Sequence, residues 1–510
     1  MWNSHEEAMN RPPRLLRWRS STEFIIATVW TSFFTDYFLY AMIVPVMPTA
    51  LVDRASIPYE DREFWVSILL MCEAAVAFLC CPVFGYMLDA APTRQMPYLL
   101  GLIFLGGSMV LLALAHTITL FIVARLLQGA ATAMVAVAGL ALLTDSVTTN
   151  NLGHAIGYLG SAIALGFLLG PLLGGLVYRV AGYQAVFAIA FAMVGIDLLM
   201  RIAVIEKTVA KRWMQKPGAV ADGPTPSDSL VVQSAESTIT ASPAHAYRPR
   251  KKPAPLLLII RQPRVLISSG ALLVHGLLYS AFDATIPIFV ESHFGWTSFG
   301  AGMAFLPSAL TAFFEPYFGK LTDTHGPRRI ALTSFTLLPI PLLCLSLITT
   351  ASTTHIILLL TLLTIIGLLI NLCTPALYLE TQQVLDEMED KEPGIFGPRG
   401  AVAQAFALQT MAQFLGLFLG PLWGGFVEWR FGWGVMTFGL AGLVGLTAVF
   451  VGGMGAKGVG SGSGSGSGWM SGLGRCCGCG FGRKDYGRGD ETGVEDREAL
   501  LPEEGARVSG

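Results

Sequence analysis

Charge is scarce in this 510-residue chain: only 13% of the residues are Asp, Glu, Lys or Arg, while 53% are hydrophobic, and the mean hydropathy is +0.58. So little charge cannot cover a water-soluble surface, which excludes an ordinary soluble domain. The G-x-x-x-x-G-K-[ST] pattern is missing, and with it the phosphate loop that ATP hydrolysis requires. No Ser/His/Asp or metal-ligand cluster stands out, so no enzyme chemistry, metal or other cofactor is expected, and no nucleic-acid partner. Cysteines are few, and no outward loop holds a pair to oxidise. Cys72, Cys80, Cys81, Cys344 and Cys373 lie in apolar runs, where a thiol is ordinarily packing, whereas Cys476, Cys477 and Cys479 sit together in the tail and suit S-palmitoylation. Alternation of the kind found in barrel strands is absent from runs such as 97 to 115 and 356 to 370.

What is present is a succession of about twelve apolar runs, each about as long as the 20 residues a helix needs to cross a hydrocarbon core. Six runs fall near 24 to 51, 64 to 86, 97 to 115, 118 to 143, 155 to 178 and 184 to 204. Six more fall near 265 to 290, 299 to 319, 330 to 350, 355 to 378, 401 to 427 and 433 to 453. The expected organisation is a basic arm over 1–23, a six-helix bundle over 24–205, a Pro/Ser/Thr-rich disordered linker over 206–264, a second bundle over 265–454, and a disordered tail over 455–510. Arg11, Arg14, Arg17 and Arg19, the run Arg248, Arg250, Lys251 and Lys252, and Arg328 with Arg329 fall on one side, against Arg54, Arg62, Arg179 and Arg430 on the other. This bias predicts cytosolic termini and a cytosolic linker. The first run is too long and starts too late for a cleaved signal peptide.

The halves repeat one another. Gly166, Gly170, Pro171, Gly174 and Gly175 in the fifth run spell G-x-x-x-G-P-x-x-G-G, and Gly416, Gly420, Pro421, Gly424 and Gly425 in the eleventh spell it again. Small residues four apart let helices approach closely and Gly-Pro loosens the backbone ladder, so both helices read as hinge or gate elements. Gly85, Asp89 and Arg94 recur at the same spacing as Gly319, Asp323 and Arg328. These acids and bases can pair with each other or with helix ends across a closing cytosolic seam. Same-sense repeats of six helices imply two bundles with a substrate cavity between them.

Ionisable residues inside a membrane are costly and usually face an aqueous path. Asp36 and Asp283 lie in the first and seventh runs, Glu73 and Glu315 in the second and eighth, and these four acids face one clear cation, Arg125. Asp36, in a helix broken by Pro45 and Pro48, is the leading proton-binding carboxylate, with Asp283 next and Glu73 after it. Glu315, four residues before Gly319, can also be a surface acid. His275 stands two turns before Asp283, where a proton relay is one reading and plain packing the other. Tyr37, Tyr40, Phe282 and Tyr378 can line a cavity for a planar or cationic solute. Trp296 reads as an interfacial belt residue.

The loops GYMLDAAPTR and GKLTDTHGPRR, the RLLQG sequence carrying Arg125, Gln128 and Gly129, and GFLLGPLLGG together resemble the signature motifs of the major facilitator superfamily over residues 24 to 453. The resemblance implies an all-α membrane fold of twelve helices in two bundles, and its fifth-helix motif implies an antiporter. Pro92 stands where the first loop motif normally has glycine, whereas the second copy keeps Gly326. Within the superfamily the chain looks most like the vesicular monoamine and acetylcholine transporter branch, and like fungal-type multidrug or metabolite efflux transporters. Asp36 before Pro45 and Pro48, Asp283 before Pro287, and FLPSAL at 305 to 310 carry that likeness. Glu73 replaces that branch's second-helix lysine, and Asn371 and Thr410 stand where it carries acids. The resemblance implies roles for Asp36 and Asp283 at the substrate or proton site, where Glu73, Tyr37 and Asn371 are the further candidates.

The function expected from these readings is secondary transport of a small organic solute, driven by proton exchange. The rival readings are a facilitator or importer of the same fold and a transport-dead sensor. A monomer in the plasma membrane is expected. Asp496, Leu500 and Leu501 match an acidic dileucine signal that an adaptor can read, which keeps vacuolar, endosomal or vesicle membranes as alternatives.

Overall fold

The computed structural model describes residues 15–207, 209–210, 254–296, 300, 303–397 and 400–454. Among them are eleven helices long and apolar enough to cross a membrane. Helices are the natural outcome, because an apolar solvent offers no partner for the backbone and each segment must satisfy its own N–H and C=O groups. We number them α1 (Thr22–Ile43), α2 (Arg62–Ala90), α3 (Gln95–Ala113), α4 (Ile118–Ser146), α5 (Leu152–Ala181), α6 (Tyr183–Ala203) and α7 (Pro263–Phe294). The eighth interval is broken into Leu306–Thr311, Ala312–Phe314 and α8 (Glu315–His325). Then follow α9 (Pro327–Leu337, continued by Pro339–Cys344), α10 (Thr353–Lys391), α11 (Val402–Phe431) and α12 (Trp433–Gly453).

Helix ends follow local chemistry. Ser21, Thr117 and Ser352 cap α1, α4 and α10 by accepting from the backbone N–H groups of Phe24, Leu120 and His355. The α5–α6 and α11–α12 turns each pivot on a glycine, Gly182 at φ +82° and Gly432 at φ +86°. Both lie in the region that other residues avoid, so the repeat extends to the turns.

Three boundaries differ from the sequence reading. The first run is two helices, α1 and Met47–Ala55, because the rings of Pro45 and Pro48 cannot continue the ladder of α1. The segment read as linker holds a helix at Pro255–Ile260, which is apolar throughout and anchored by buried Ile259. The basic arm ends in a short helix, Leu16–Arg19, whose Arg19 Nε donates to the Ala203 carbonyl at the end of α6. Arg11, Arg14, residues 211–253 and the tail with Cys476, Cys477, Cys479, Asp496, Leu500 and Leu501 lie outside the described residues.

Within the first half α1 packs on α4, α5 and α6, and α2 on α4; within the second, α7 packs on α10, α11 and α12. The halves meet most extensively where α2 crosses α11 and α5 crosses α8, with α4 on α11 and α10 on α5 beside them.

Candidate functional site

The glycine-rich motifs set the distance between helices inside each half. A Cβ on Gly170 would meet Ala41 Cβ at 2.7 Å and the Phe38 carbonyl at 2.8 Å, so α5 lies directly on α1 there. In the second half a Cβ on Gly420 would meet the Leu277 carbonyl at 2.6 Å, placing α11 on α7. Gly166 and Gly174 extend the first contact along α1, and Gly416 and Gly424 extend the second along α7. Gly175 and Gly425 face no atom within 4 Å and take no part. Pro171 and Pro421 lie inside helices that run through them unbroken. Gly170→Leu should therefore push α5 off α1 and abolish flux while the protein still inserts. Flux together with size-exclusion elution of the purified variant checks this, and wild-type flux would remove the close contact from the mechanism.

The helix thus held in the first half carries the leading carboxylate. Asp36 is buried, and its Oδ1 accepts a hydrogen bond from Thr132 Oγ1 of α4 at 3.0 Å. One turn and two turns earlier on the same face of α4 stand Gln128 and Arg125. Gly129 lets the backbone of α2 at Glu73 come so near that any side chain there would collide with the Glu73 carbonyl. That approach brings Glu73 Oε2 to 2.8 Å from Arg125 Nη1, and the same nitrogen donates to Gln128 Oε1 at 2.9 Å. Arg125, read from the sequence as the one clear cation, is fully buried and bound to Glu73, while its Nε and Nη2 lack protein partners. The Arg125 guanidinium also lies 5.8 Å from the Tyr40 ring centre.

Asp283 differs from Asp36: it is exposed, yet it shares with Glu73 and Arg125 the electrostatic surroundings of Tyr40. An acid of α7 thus lies within electrostatic reach of Tyr40 of α1, in the opposite half. Aromatic rings link the two halves here. Tyr37 and Tyr40 of α1 pack on Phe167 of α5 at 5.3 and 6.0 Å between centres, and Phe167 packs on Tyr279 of α7 at 6.0 Å. Tyr378 donates to Gln413 Oε1 at 2.8 Å. Asn371 turns to the broken eighth interval, donating to Thr311 Oγ1 at 3.0 Å, and Thr410 is buried with its hydroxyl unpartnered. His275 meets Thr374 Oγ1 at 3.1 Å, a packing contact with α10, so the structure shows no relay to Asp283.

The loop motifs lie at one end of the molecule and clasp it across the halves. Asp89 accepts from the backbone N–H groups of Ala403 and Gln404 at 3.1 and 3.0 Å, at the start of α11. Asp323 accepts from those of Gly153 and His154, both at 2.8 Å, at the start of α5. Each carboxylate satisfies orphan donors at the positive end of a helix in the opposite half. Gly85 and Gly319 make these approaches: a Cβ on Gly85 would meet Ala403 O at 3.0 Å, and one on Gly319 would meet His154 Cα at 2.9 Å.

The arginines follow a different course from the acids. Arg94 binds both Asp89 at 3.1 Å and Asp145 at 2.5 Å. Burial disfavours its charge, but Asp145 and Asp89 outweigh that and hold the guanidinium pKa above its ordinary value. Arg328 does not bind Asp323; it turns to Glu380 of α10 at 3.0 Å, where Arg264 also binds at 2.7 Å. Gly326, at φ +88°, makes the second turn, and Pro92, whose ring fixes a negative φ, gives the first a different path.

Several groups escaped the sequence reading. Phe167 and Tyr279 were hidden among apolar neighbours, although Tyr279 stands four residues before Asp283. Asp197 and Arg201 of α6 are fully buried; Asp197 accepts from Ser32 Oγ at 2.6 Å and Arg201 lies over the Tyr98 ring at 4.3 Å. A charge pair one turn apart in an apolar run was the available signal. Glu315 is not a surface acid: it is 4% exposed, because α5 covers it.

Comparison with known proteins agrees with this architecture. The family model described as Major Facilitator Superfamily matches residues 29–389. The MFS-type transporter ppzB of Metarhizium rileyi is 30% identical over 471 residues, covering 86% of this chain and 96% of the relative. An uncharacterized MFS-type transporter of Schizosaccharomyces pombe is 30% identical over 420 residues, covering 81% and 91%. The synaptic vesicular amine transporter of Bos taurus is more distant, 23% identical over 57% of this chain and 50% of that protein. The crystal structure of the human organic anion transporter MFSD10 superposes with a TM-score of 0.61 at 15% identity, covering 86% of this chain and all of the other, which speaks to fold alone. With helices, repeats and matches in accord, the chain belongs to the major facilitator superfamily, a multi-pass membrane transporter and not an enzyme.

Proposed function

We propose that the protein is a proton-coupled antiporter that moves a small cationic or amphipathic organic solute by alternating access, with the clasped end facing the cytosol. The observation that carries this reading is the central cluster: Asp36, the Glu73–Arg125 pair and Asp283 gathered beside Tyr37, Tyr40, Phe167 and Tyr279 between the halves. Arg125 compensates only Glu73, which leaves Asp36 and Asp283 free to bind a proton or a cation. Ring faces attract cations and accept planar apolar groups, so the same cavity suits an amphipathic base. Clasped motif loops correspond to a state sealed on the cytosolic side. Exchange then requires that seam to part while the other side closes.

The vesicular amine relatives support the cationic substrate class, at half-length similarity. They also favour a second reading of location, an internal vesicle membrane in place of the plasma membrane. Imaging the tagged protein with and without Leu500→Ala/Leu501→Ala distinguishes the two.

Solute flux in proteoliposomes, measured with and without an imposed pH gradient, tests the mechanism. Uptake of an organic cation that rises about tenfold with an inward-acid gradient is expected. Equal flux without a gradient would instead support a facilitator, and no flux of any solute a sensor.

A further inference from the structure

Glu315 occupies an unusual place. It starts α8 on the seam between the halves, and a Cβ at Gly160 of α5 would fall on its Oε2 atom, so the carboxyl lies in a notch that only glycine leaves open. A Cβ at Gly157 would likewise press on Pro316 Cα at 2.8 Å. Oε2 has no hydrogen-bond partner, and no basic side chain pairs with Glu315 among the described residues. The corresponding position in the first repeat, by the spacing of Gly85 and Gly319, is Cys81. The two halves therefore differ here by a carboxyl group, which the second half has and the first lacks.

The surroundings of Glu315 are neutral or already committed. From α5 the titratable side chains beside Gly157 and Gly160 are His154 and Tyr158, whose rings are tilted against each other at 5.0 Å. Tyr279 of α7 and Cys373 and Tyr378 of α10 lie within its electrostatic reach. On α8 Asp323 is held by the start of α5 and Lys320 is exposed; on α9 Arg328 is bound to Glu380 and Arg329 is exposed. Among the described residues no basic side chain pairs with Glu315 to compensate its anion. A carboxylate there would be strongly disfavoured, whereas the neutral acid fits the glycine notch.

We propose that Glu315 is a proton-binding site that latches the cytosolic seam: the seam closes over the protonated acid, and when α5 and α8 part the carboxyl passes its proton to cytosolic water and remains outside as the anion. Reclosing requires that a proton return from the same side. By linkage the closed state gains a proton relative to the open one, so acid favours closure and rising pH favours opening. The proposal rests on the proposed function only for the clasped end facing the cytosol; it concerns the seam and not antiport at Asp36.

Native Cys81 reports on the seam, since it is fully buried and lies one turn from Gly85 on α2. In vesicles with the cytosolic face outward, without substrate or gradient, and with the other cysteines replaced by alanine, N-ethylmaleimide labelling of Cys81 is compared between about pH 6 and about pH 8.5, relative to the unfolded protein at each pH. Wild-type labelling should rise about fivefold or more, and Glu315→Gln, which mimics the protonated acid, should stay low at both values. Gly160→Ala, which fills the notch and displaces the carboxyl, should label strongly at both. An unchanged pH response in Glu315→Gln would overturn the proposal. So would wild-type protection at acid pH in Gly160→Ala, and that arm decides by itself if the Gln variant fails to fold.

Discussion

Asp36→Asn is expected to abolish exchange driven by a pH gradient, lowering it about a hundredfold or more, while substrate binding is retained in part. The side chain is buried and accepts a single side-chain hydrogen bond, from Thr132, so the amide can replace the acid with little change of shape. What the amide cannot do is bind and release a proton. A carboxyl in a dehydrating site needs that reaction to cross between its two accessible states. Asp283→Asn should act less completely, because Asp283, unlike Asp36, is exposed. Flux under one fixed gradient, paired with substrate binding in detergent, measures both. Wild-type exchange in Asp36→Asn would transfer the coupling role to Glu73.

The second large effect concerns the buried pair of Glu73 and Arg125. Glu73→Gln leaves a guanidinium that is fully buried, that cannot be deprotonated, and that already has two nitrogens without protein partners. Loss of one member of a buried ion pair costs about 3–5 kcal/mol, so this variant should be poorly stable and inactive. Arg125→Gln should be milder in stability, since the remaining Glu73 can neutralise itself by taking up a proton. The double variant Glu73→Gln/Arg125→Gln removes both charges and should recover most of the thermal stability lost in Glu73→Gln alone. Thermal unfolding of the three purified variants forms a double-mutant cycle. Additive losses would show that the pair is not energetically coupled and would remove it from the architecture of the cavity. Transport need not return in the double variant, because the charges facing Tyr40 and Asp283 are then gone.

The class of the molecule was legible before any packing was known. Runs of about 20 apolar residues allow only helices in a hydrocarbon solvent, whatever the packing, and the repeated G-x-x-x-G-P-x-x-G-G and G-x-x-x-D-x-x-x-x-R patterns declare two related halves. The acids of the candidate site were legible too, since a charge stands out in an apolar run: Asp36, Glu73 and Asp283 needed no coordinates to be noticed.

What each charge faces depends on helix rotation and on which helices cross, and neither is written in the order of residues. Asp89 and Asp323 reach helix starts in the opposite half, more than 150 residues away in sequence, while Arg328 leaves Asp323 for Glu380. Gly129 gives no sign in sequence that it exists to admit the Glu73 backbone, nor Gly160 that it makes room for a carboxyl. Glu315 looked exposed by its distance from a loop and is buried because α5 crosses α8 there. Apolar periodicity records only that a face is covered; the identity of the covering group is a property of the assembled bundles.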